Sequence, residues 1–328
     1  MRVGLVYDRF GDTPAPPGAP PDWDAEYEPG ETVDVLEATL RRLGHEPVRV
    51  GSARALLDRM GAGPLGLDAA VNIAESYGSR NREAHAPVLL ELAGVPYVGS
   101  DALALSVSLD KHLTKVVAQA AGVATPAWTV VSDVDDVGAG PLPAIVKPRY
   151  EGTAKGIERS SRCDTERAVR REVGRQHALY AQDLLVEAFV EGAEFTVGVV
   201  GTGLDAEALP VLQRAVERAT GIGLHALGDD EAAYDLPGAL TPALEAALAG
   251  DALAVHRALE CRDFSRSDFR VDASGTVWFL EVNPLPTFAP DGTFAILAEL
   301  AGEPYPAFLA RVLDAALRRA TGPASRPR

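Results

Sequence analysis

The sequence predicts a mixed protein, α/β at its start and α+β afterwards. Over residues 1–105, short apolar runs alternate with helical stripes, the rhythm of a parallel strand–helix unit. A second segment, residues 106–182, pairs the strand AIVKP with polar helices. A third, residues 183–320, sets strand runs around a long helix and ends in two more helices.

VGLVYD, residues 3–8, is an apolar run suited to a buried strand, and a Pro- and Gly-rich loop follows it through Pro29. ETVDVLEATLRRLGH then places Val33, Leu36, Leu40 and Leu43 on one helical stripe. Gly44 ends that helix, and EPVRVG resumes a strand. LDAAVNIAES, PVLLELAG and VPYVGS continue the alternation. SLDKHLTKVVAQAAG reads as one helix, TERAVRREVGRQHAL as a polar one, and LLVEAFVEGAEFTVGVV as a hairpin turning near Glu191-Gly192. ALEAALAGDALAVHRAL, LAELAG and YPAFLARVLDAALRRA read as helices. Residues 321–328 read as a frayed tail.

At 328 residues the chain is long enough for two or three packed units. Its net charge of −16 argues against non-specific nucleic-acid binding, which needs a basic footprint. No apolar run reaches membrane-spanning length, and MRVGLVYDRF reads as a first strand rather than a signal peptide. A cytoplasmic location is expected, with Cys163 and Cys261 as buried free thiols.

FSRSDFRVDASGTVWFLEVNPLPTF, residues 264–288, carries the strongest chemical signal. As a hairpin turning at Ser274-Gly275, it sets Asp268 opposite Glu281 and Arg266 opposite Asn283. Phe269, Val271, Trp278, Leu280 and Val282 then form the core face. Facing carboxylates repel. A divalent cation would turn that repulsion into coordination, with Asn283 adding a carbonyl oxygen; magnesium takes such ligands, commonly with substrate phosphates. Arg266 suits a phosphate or a developing oxyanion. Taken alone, a hairpin with solvated charges explains these residues equally well.

AIVKPRYEGTAKGIE ends a strand at Lys147 and continues into a loop bounded by Gly152 and Gly156, with Thr153 between them. Such loops offer backbone N–H groups to phosphates. The chain has four lysines, Lys111, Lys115, Lys147 and Lys155, all between residues 111 and 155. Where arginine serves almost everywhere else, a retained lysine is informative. Glu187 and Glu194 read as strand-end carboxylates able to accept from ribose hydroxyls, or as exposed glutamates.

LAGVPYVGS, SLDKHLTK, IVKPRYEGTAKGI, LLVEAFVEGAEFTV and SRSDFRVDASGTVWFLEVNP, in that order, resemble the ATP-grasp ligases, and within them the D-alanine–D-alanine ligase branch. The resemblance implies a three-part ATP-grasp fold, with ATP held between two small α+β lobes. It implies that Lys111 and Lys147 contact the ATP phosphates and that residues 152–156 cover them. Glu187 would lie beside the adenine, with Ala188, Phe189 and Val190 lining it, and Glu194 would hold the ribose. Asp268, Glu281 and Asn283 would bind magnesium, or manganese in its place, and Arg266 would face the reacting carbonyl. Glu31, at the start of the first helix, would hold the first substrate's ammonium. The implied reaction joins a small-molecule carboxylate to an amine, with Arg266 and a backbone N–H near Thr287 facing the oxyanion. Homodimers are common in this branch.

The sequence also departs from the D-alanine pattern. QRAVERATGIGLHALGDDEAAYDLPG lacks the Lys-Tyr pair of the family's closing loop, leaving Arg214, Arg218 or His225 as substitutes. Thr287 stands at the family's glycine. Asp291 and Thr293 lie where the serine for the second substrate's carboxylate is expected, and NREAHAP differs from the segment of the cell-wall enzymes. Three readings follow: an amide- or peptide-forming ligase of a specialised pathway, a D-alanine–D-alanine ligase, or a non-catalytic ATP-binding homologue. The retained lysines and metal-ligand set speak against the last.

Overall fold

A computed structural model describes residues 1–228 and 233–322. The expected tail beyond Gly322 lies outside the described residues. Four parallel strands open the chain: β1 (Arg2–Tyr7), β2 (Glu46–Gly51), β3 (Ala69–Ile73) and β4 (Tyr97–Val98), in the order β2-β1-β3-β4. Helices α1 (Gly30–Arg42), α2 (Ala53–Ala62) and α3 (His85–Leu92) make the crossovers. The stripe predicted for α1 is its buried face, since Val33, Leu36 and Leu40 are fully covered. Leu43, just past the helix end, is only partly buried.

The single helix expected over residues 108–122 is two helices, α4 (Ala102–Leu109) and α5 (Lys111–Ala120). Asp110 breaks them. Its backbone is extended, and its carboxylate accepts from the N–H groups of His112 and Leu113. An N-cap aspartate starts a helix more readily than it continues one. The break places Lys111 in the first turn of α5.

A second sheet holds β5 (Trp128–Val131), β6 (Ala144–Pro148), β7 (Arg162–Cys163) and β8 (Leu184–Ala188), antiparallel in the order β5-β8-β6-β7. Helix α6 (Glu166–Tyr180) covers it through Val169 and Val173. The third sheet is built on β9 (Ala193–Val200), flanked by β10 (Glu207–Ala208) and β11 (Leu212–Arg214). Beyond lie the short pair β12 (Val216–Glu217) and β13 (Tyr234–Asp235), helix α7 (Leu224–Leu227) and helix α8 (Pro242–Ala258). β14 (Phe264–Val271) and β15 (Val277–Asn283) complete the sheet, and α9 (Thr293–Leu300) and α10 (Tyr305–Thr321) close the chain.

The hairpin expected at Glu191-Gly192 does not form. β8 pairs with β5 and β6, while β9 pairs with β14, so residues 189–192 cross from one sheet to the next. Gly192 sits at φ 141°, where a Cβ would fall 2.0 Å from the Val271 carbonyl oxygen. Only glycine fits that approach.

Helices α9 and α10 return to the first sheet, packing Phe294, Leu309, Leu313 and Leu317 into one core with Val3, Leu5 and Leu40. A separate core under α8 gathers Phe195, Phe269 and Phe279. Cys163 and Cys261 are buried free thiols, as expected.

Candidate active site

The β14–β15 hairpin pairs Asp268 with Glu281 and Arg266 with Asn283, the register read from sequence. Nearer the turn the register slips by one residue, between Asp268 and Phe269. The cause is a longer loop, in which Gly275 donates to the Asp272 carbonyl and the Asp272 side chain ties Ser274 and Thr276. The slip changes the expected core face. Phe279 replaces Trp278 and Leu280 in the core, and Leu280 turns toward the cleft.

The cleft runs between the second and third sheets. Ile145, Ala188, Phe189, Val190, Ile222 and Leu280 form its apolar part. Arg162 and Arg270 stack their guanidinium groups on the Phe189 ring, each 4.9 Å from its centroid. Arg270 also donates to the Val190 carbonyl at 3.0 Å and pairs with Glu194 at 2.5 Å. Glu194 lines the cleft, and His225 Nδ1 lies 3.3 Å from its other oxygen.

Below the apolar part, Glu187 is 2 % exposed and takes two lysines, Lys115 at 2.5 Å and Lys147 at 3.0 Å. Burial would raise its carboxyl, but the two ammonium groups outweigh burial and lower it. Lys115 is fully covered and also donates to Thr125 Oγ1 at 2.7 Å; burial lowers it to about 8, with Glu187 opposing. The sequence singled out Lys147 and left Lys115 without a role. Its signal was there, one helical turn after Lys111 in a chain with four lysines.

Lys111 reaches from α5 to Glu281 Oε2 at 2.9 Å and to the Glu151 carbonyl at 2.5 Å. Arg149 clamps this corner, donating to both Asp110 oxygens at 2.8 and 2.7 Å. Arg266 lies 3.1 Å from Asp268 Oδ2, and Thr196 donates to Asp268 Oδ1 at 2.6 Å. Burial alone would raise the Glu281 carboxyl; Lys111, Lys147 and Arg266 reverse this and hold it at about 2. The two carboxylates face each other and are compensated by side-chain cations that a metal ion could displace. Asn283 Oδ1 accepts from the Leu285 N–H at 2.7 Å, which fixes the amide and leaves a second lone pair. The all-oxygen donor set fits magnesium.

Thr153 and Ala154 both have positive φ, 48° and 56°, an unusual conformation for residues with a Cβ. At Gly156, φ is 75° and a Cβ would meet Tyr180 at 2.9 Å. The loop is held from the N-terminal side, where Glu26 accepts from the Gly152 N–H at 2.7 Å and from Lys155 at 2.7 Å. Asp22 accepts from the Gly156 N–H at 3.1 Å. Thr153 borders both the cleft and a smaller cavity beside it, lined by Glu26, Glu75, Glu83, Lys111, Arg266 and Asn283.

The structure does not bring Glu31 to this site. Glu31 is exposed on α1, while Glu28, three residues earlier, is buried and accepts from Thr287 Oγ1 at 2.8 Å. The long loop before α1 turns its last acids inward, before the helix begins. Asp291 is exposed and borders none of these spaces, whereas Thr293 lines the cleft and accepts from Arg214 at 2.7 Å. Of the three candidates in the closing segment, Arg214 and His225 face the cleft; Arg218 is exposed and paired with Asp235. Glu26, Glu75 and Glu83 went unnoticed because nothing in their local sequence distinguishes them from surface acids.

Residues 117–314 match the family model described as D-ala D-ala ligase C-terminus. The chain belongs to the D-alanine–D-alanine ligase family. The D-alanine–D-alanine ligase of Cupriavidus necator is 34% identical to this ligase over 70% of each chain. That of Bordetella petrii is 34% identical over 72% of each. The protein y4sG of Sinorhizobium fredii, described as uncharacterized, is 31% identical over 97% of this chain and 95% of its own. The D-alanine–D-alanine ligase of Bacillus anthracis, solved with ATP, superposes with a TM-score of 0.71 over 97% of each chain at 19% identity, which establishes the ATP-grasp fold. Among the described residues no helix is long and apolar enough to cross a membrane.

Proposed function

We propose that this ligase joins a small-molecule carboxylate to an amine through an acyl phosphate, releasing ADP, and acts on an amino acid or small peptide in a specialised pathway. One observation carries the proposal. The facing pair Asp268 and Glu281, flanked by Lys111 and Arg266, sits where an apolar, base-sized cleft meets an acidic cavity. The reading carries with it a three-part division of the chain near residues 105 and 182, with ATP between the second and third parts.

The residues suit each stage. Ala188 to Val190 and Leu280 offer a planar apolar slot to adenine, and Glu194 offers an acceptor to ribose. Lys111 and Lys147 reach the phosphates, and the loop from Gly152 to Gly156 closes over them. A substrate carboxylate oxygen attacks the γ-phosphorus, the bond to the β-phosphate oxygen breaks, and ADP leaves. Magnesium held by Asp268, Glu281 and Asn283 would offset charge on the transferring phosphoryl group. The amine nitrogen then attacks the acyl carbon, loses a proton, and expels inorganic phosphate. Arg266 is placed to meet the tetrahedral oxyanion. Closure by the loop keeps water from the acyl phosphate.

D-alanine is a weaker candidate substrate. The family's closing Lys-Tyr pair is absent, and in the segment that should receive a second carboxylate Thr293 is already joined to Arg214 of β11. Incubation with ATP, magnesium and millimolar D-alanine, followed by assay for dipeptide, decides the matter. We expect little dipeptide; rapid formation would establish the cell-wall activity instead.

A further inference from the structure

Three carboxylates converge in the smaller cavity. Glu75 follows β3, Glu83 lies in the turn before α3, and Glu26 comes from the loop before α1; one oxygen of each falls within 4.8 Å of the others. Glu26 is well partnered, accepting from Arg82 at 2.8 Å, Lys155 at 2.7 Å and the Gly152 N–H at 2.7 Å. Glu75 and Glu83 are not. They are 7 % and 6 % exposed, yet among the described residues neither carboxylate receives a hydrogen bond or an ion pair. Two adjacent buried acids without partners are costly and call for a ligand.

Charge identifies its class. Glu26 and Glu151 also line this cavity, Glu28 is close enough to repel Glu75, and the nearby cations are already engaged: Arg82 and Lys155 by Glu26 and Glu151, Lys111 by Glu281. With Glu75 and Glu83 drawn to the ionised form by a ligand, the local negative charge would exceed what the single α-ammonium of a neutral amino acid offsets. Size narrows the class further. The cavity holds about 30 Å³, room for an ammonium-sized group rather than for a magnesium ion with its retained waters. An ammonium has three donors, enough to serve both unpartnered carboxylates, while Glu26 adds its charge.

We propose that Glu75 and Glu83, with Glu26, select a substrate carrying a second cationic nitrogen: a basic amino acid or a diamine. The inference rests on the ligase reading for treating this cavity as the substrate end of the cleft. Burial and mutual repulsion raise Glu75 well above the ordinary carboxylate range. Burial, opposed in part by Arg82, raises Glu83 to about 8. A bound cation would draw both back toward the ionised form.

Calorimetric titration of the full chain with 1,4-diaminobutane and ornithine, set against 1-aminobutane and alanine, tests the proposal without turnover. The dicationic member of each pair should bind at least roughly tenfold tighter, and Glu75→Gln/Glu83→Gln should abolish the preference. That double variant should melt no lower than the parent, since it replaces two unpartnered buried acids with amides of the same shape, and a non-hydrolysable ATP analogue should bind both alike. A parent without the preference, or a double variant that keeps it, overturns the proposal. So does magnesium alone binding in the parent, and not in the double variant, while the diamine shows no advantage. ADP release fails separately: if the preference holds and no acid–amine pair releases ADP, the receptor stands and the ligase reading falls.

Discussion

Lys111 Nζ lies 2.9 Å from Glu281 Oε2, joining the first turn of α5 to the last strand of the third sheet. The pair closes the cleft at the point where the proposed metal and the phosphates meet. Lys111 keeps a second partner, the Glu151 carbonyl, so losing the carboxylate does not strand its charge.

Glu281→Gln should therefore separate function from stability. ADP formation should fall by roughly a hundredfold or more, while unfolding free energy should change by only about 1 kcal/mol. Parallel turnover and denaturant-unfolding measurements check this. Near-parental turnover would remove Glu281 from the metal site.

Glu187→Gln should behave in the opposite way. Glu187 is the shared partner of Lys115 and Lys147, and the amide would leave a fully buried ammonium without its counter-charge. Breaking such a pair costs about 3–5 kcal/mol, so a large drop in melting temperature is expected before any assay of activity. An unchanged melting curve would contradict the arrangement.

His256 sets a dependence on acid. The ring is fully covered, its Nδ1 lies 2.7 Å from Ser265 Oγ, and burial lowers it to about 4 from an ordinary 6.5. Between these values the unfolded chain binds a proton that the folded chain refuses, so stability falls as pH drops below 6.5. One such group contributes about 2 kcal/mol between pH 6.5 and 5. Urea unfolding of the parent and of His256→Gln at both pH values should show the steeper loss in the parent. Equal losses would place the acid sensitivity elsewhere.

Glu26 pins the phosphate loop through the Gly152 N–H and Lys155. Glu26→Ala should speed amide exchange at Gly152 by roughly tenfold or more, as a local opening that global unfolding does not require. Hydrogen-exchange mass spectrometry over residues 150–157 reads this. Exchange as slow as in the parent would mean that the loop is held by other contacts.

The hairpin was legible because alternation and a glycine turn fix register locally, and its reactive half, Arg266 to Asp268 against Glu281 to Asn283, pairs as read. Part of what failed depended on partners distant in sequence. The crossing at Gly192 was read as a turn because two adjacent strands in sequence usually pair; here each finds a better partner in its own sheet. The slip at Phe269 follows from hydrogen bonds within the Asp272 loop, which no period-two pattern reports. The family resemblance points to Glu31, at a helix start, whereas the fold turns the side chains of Glu26 and Glu28, just before it, inward. Asp110 could have been read correctly, since an aspartate before a lysine-rich amphipathic run is an N-cap signature.

The most direct test is a crystal grown with a non-hydrolysable ATP analogue and manganese, measured for anomalous scattering. A peak within ligand distance of both Asp268 and Glu281, touching the terminal phosphates, is the predicted result. A triphosphate bound without any peak there would contradict the account.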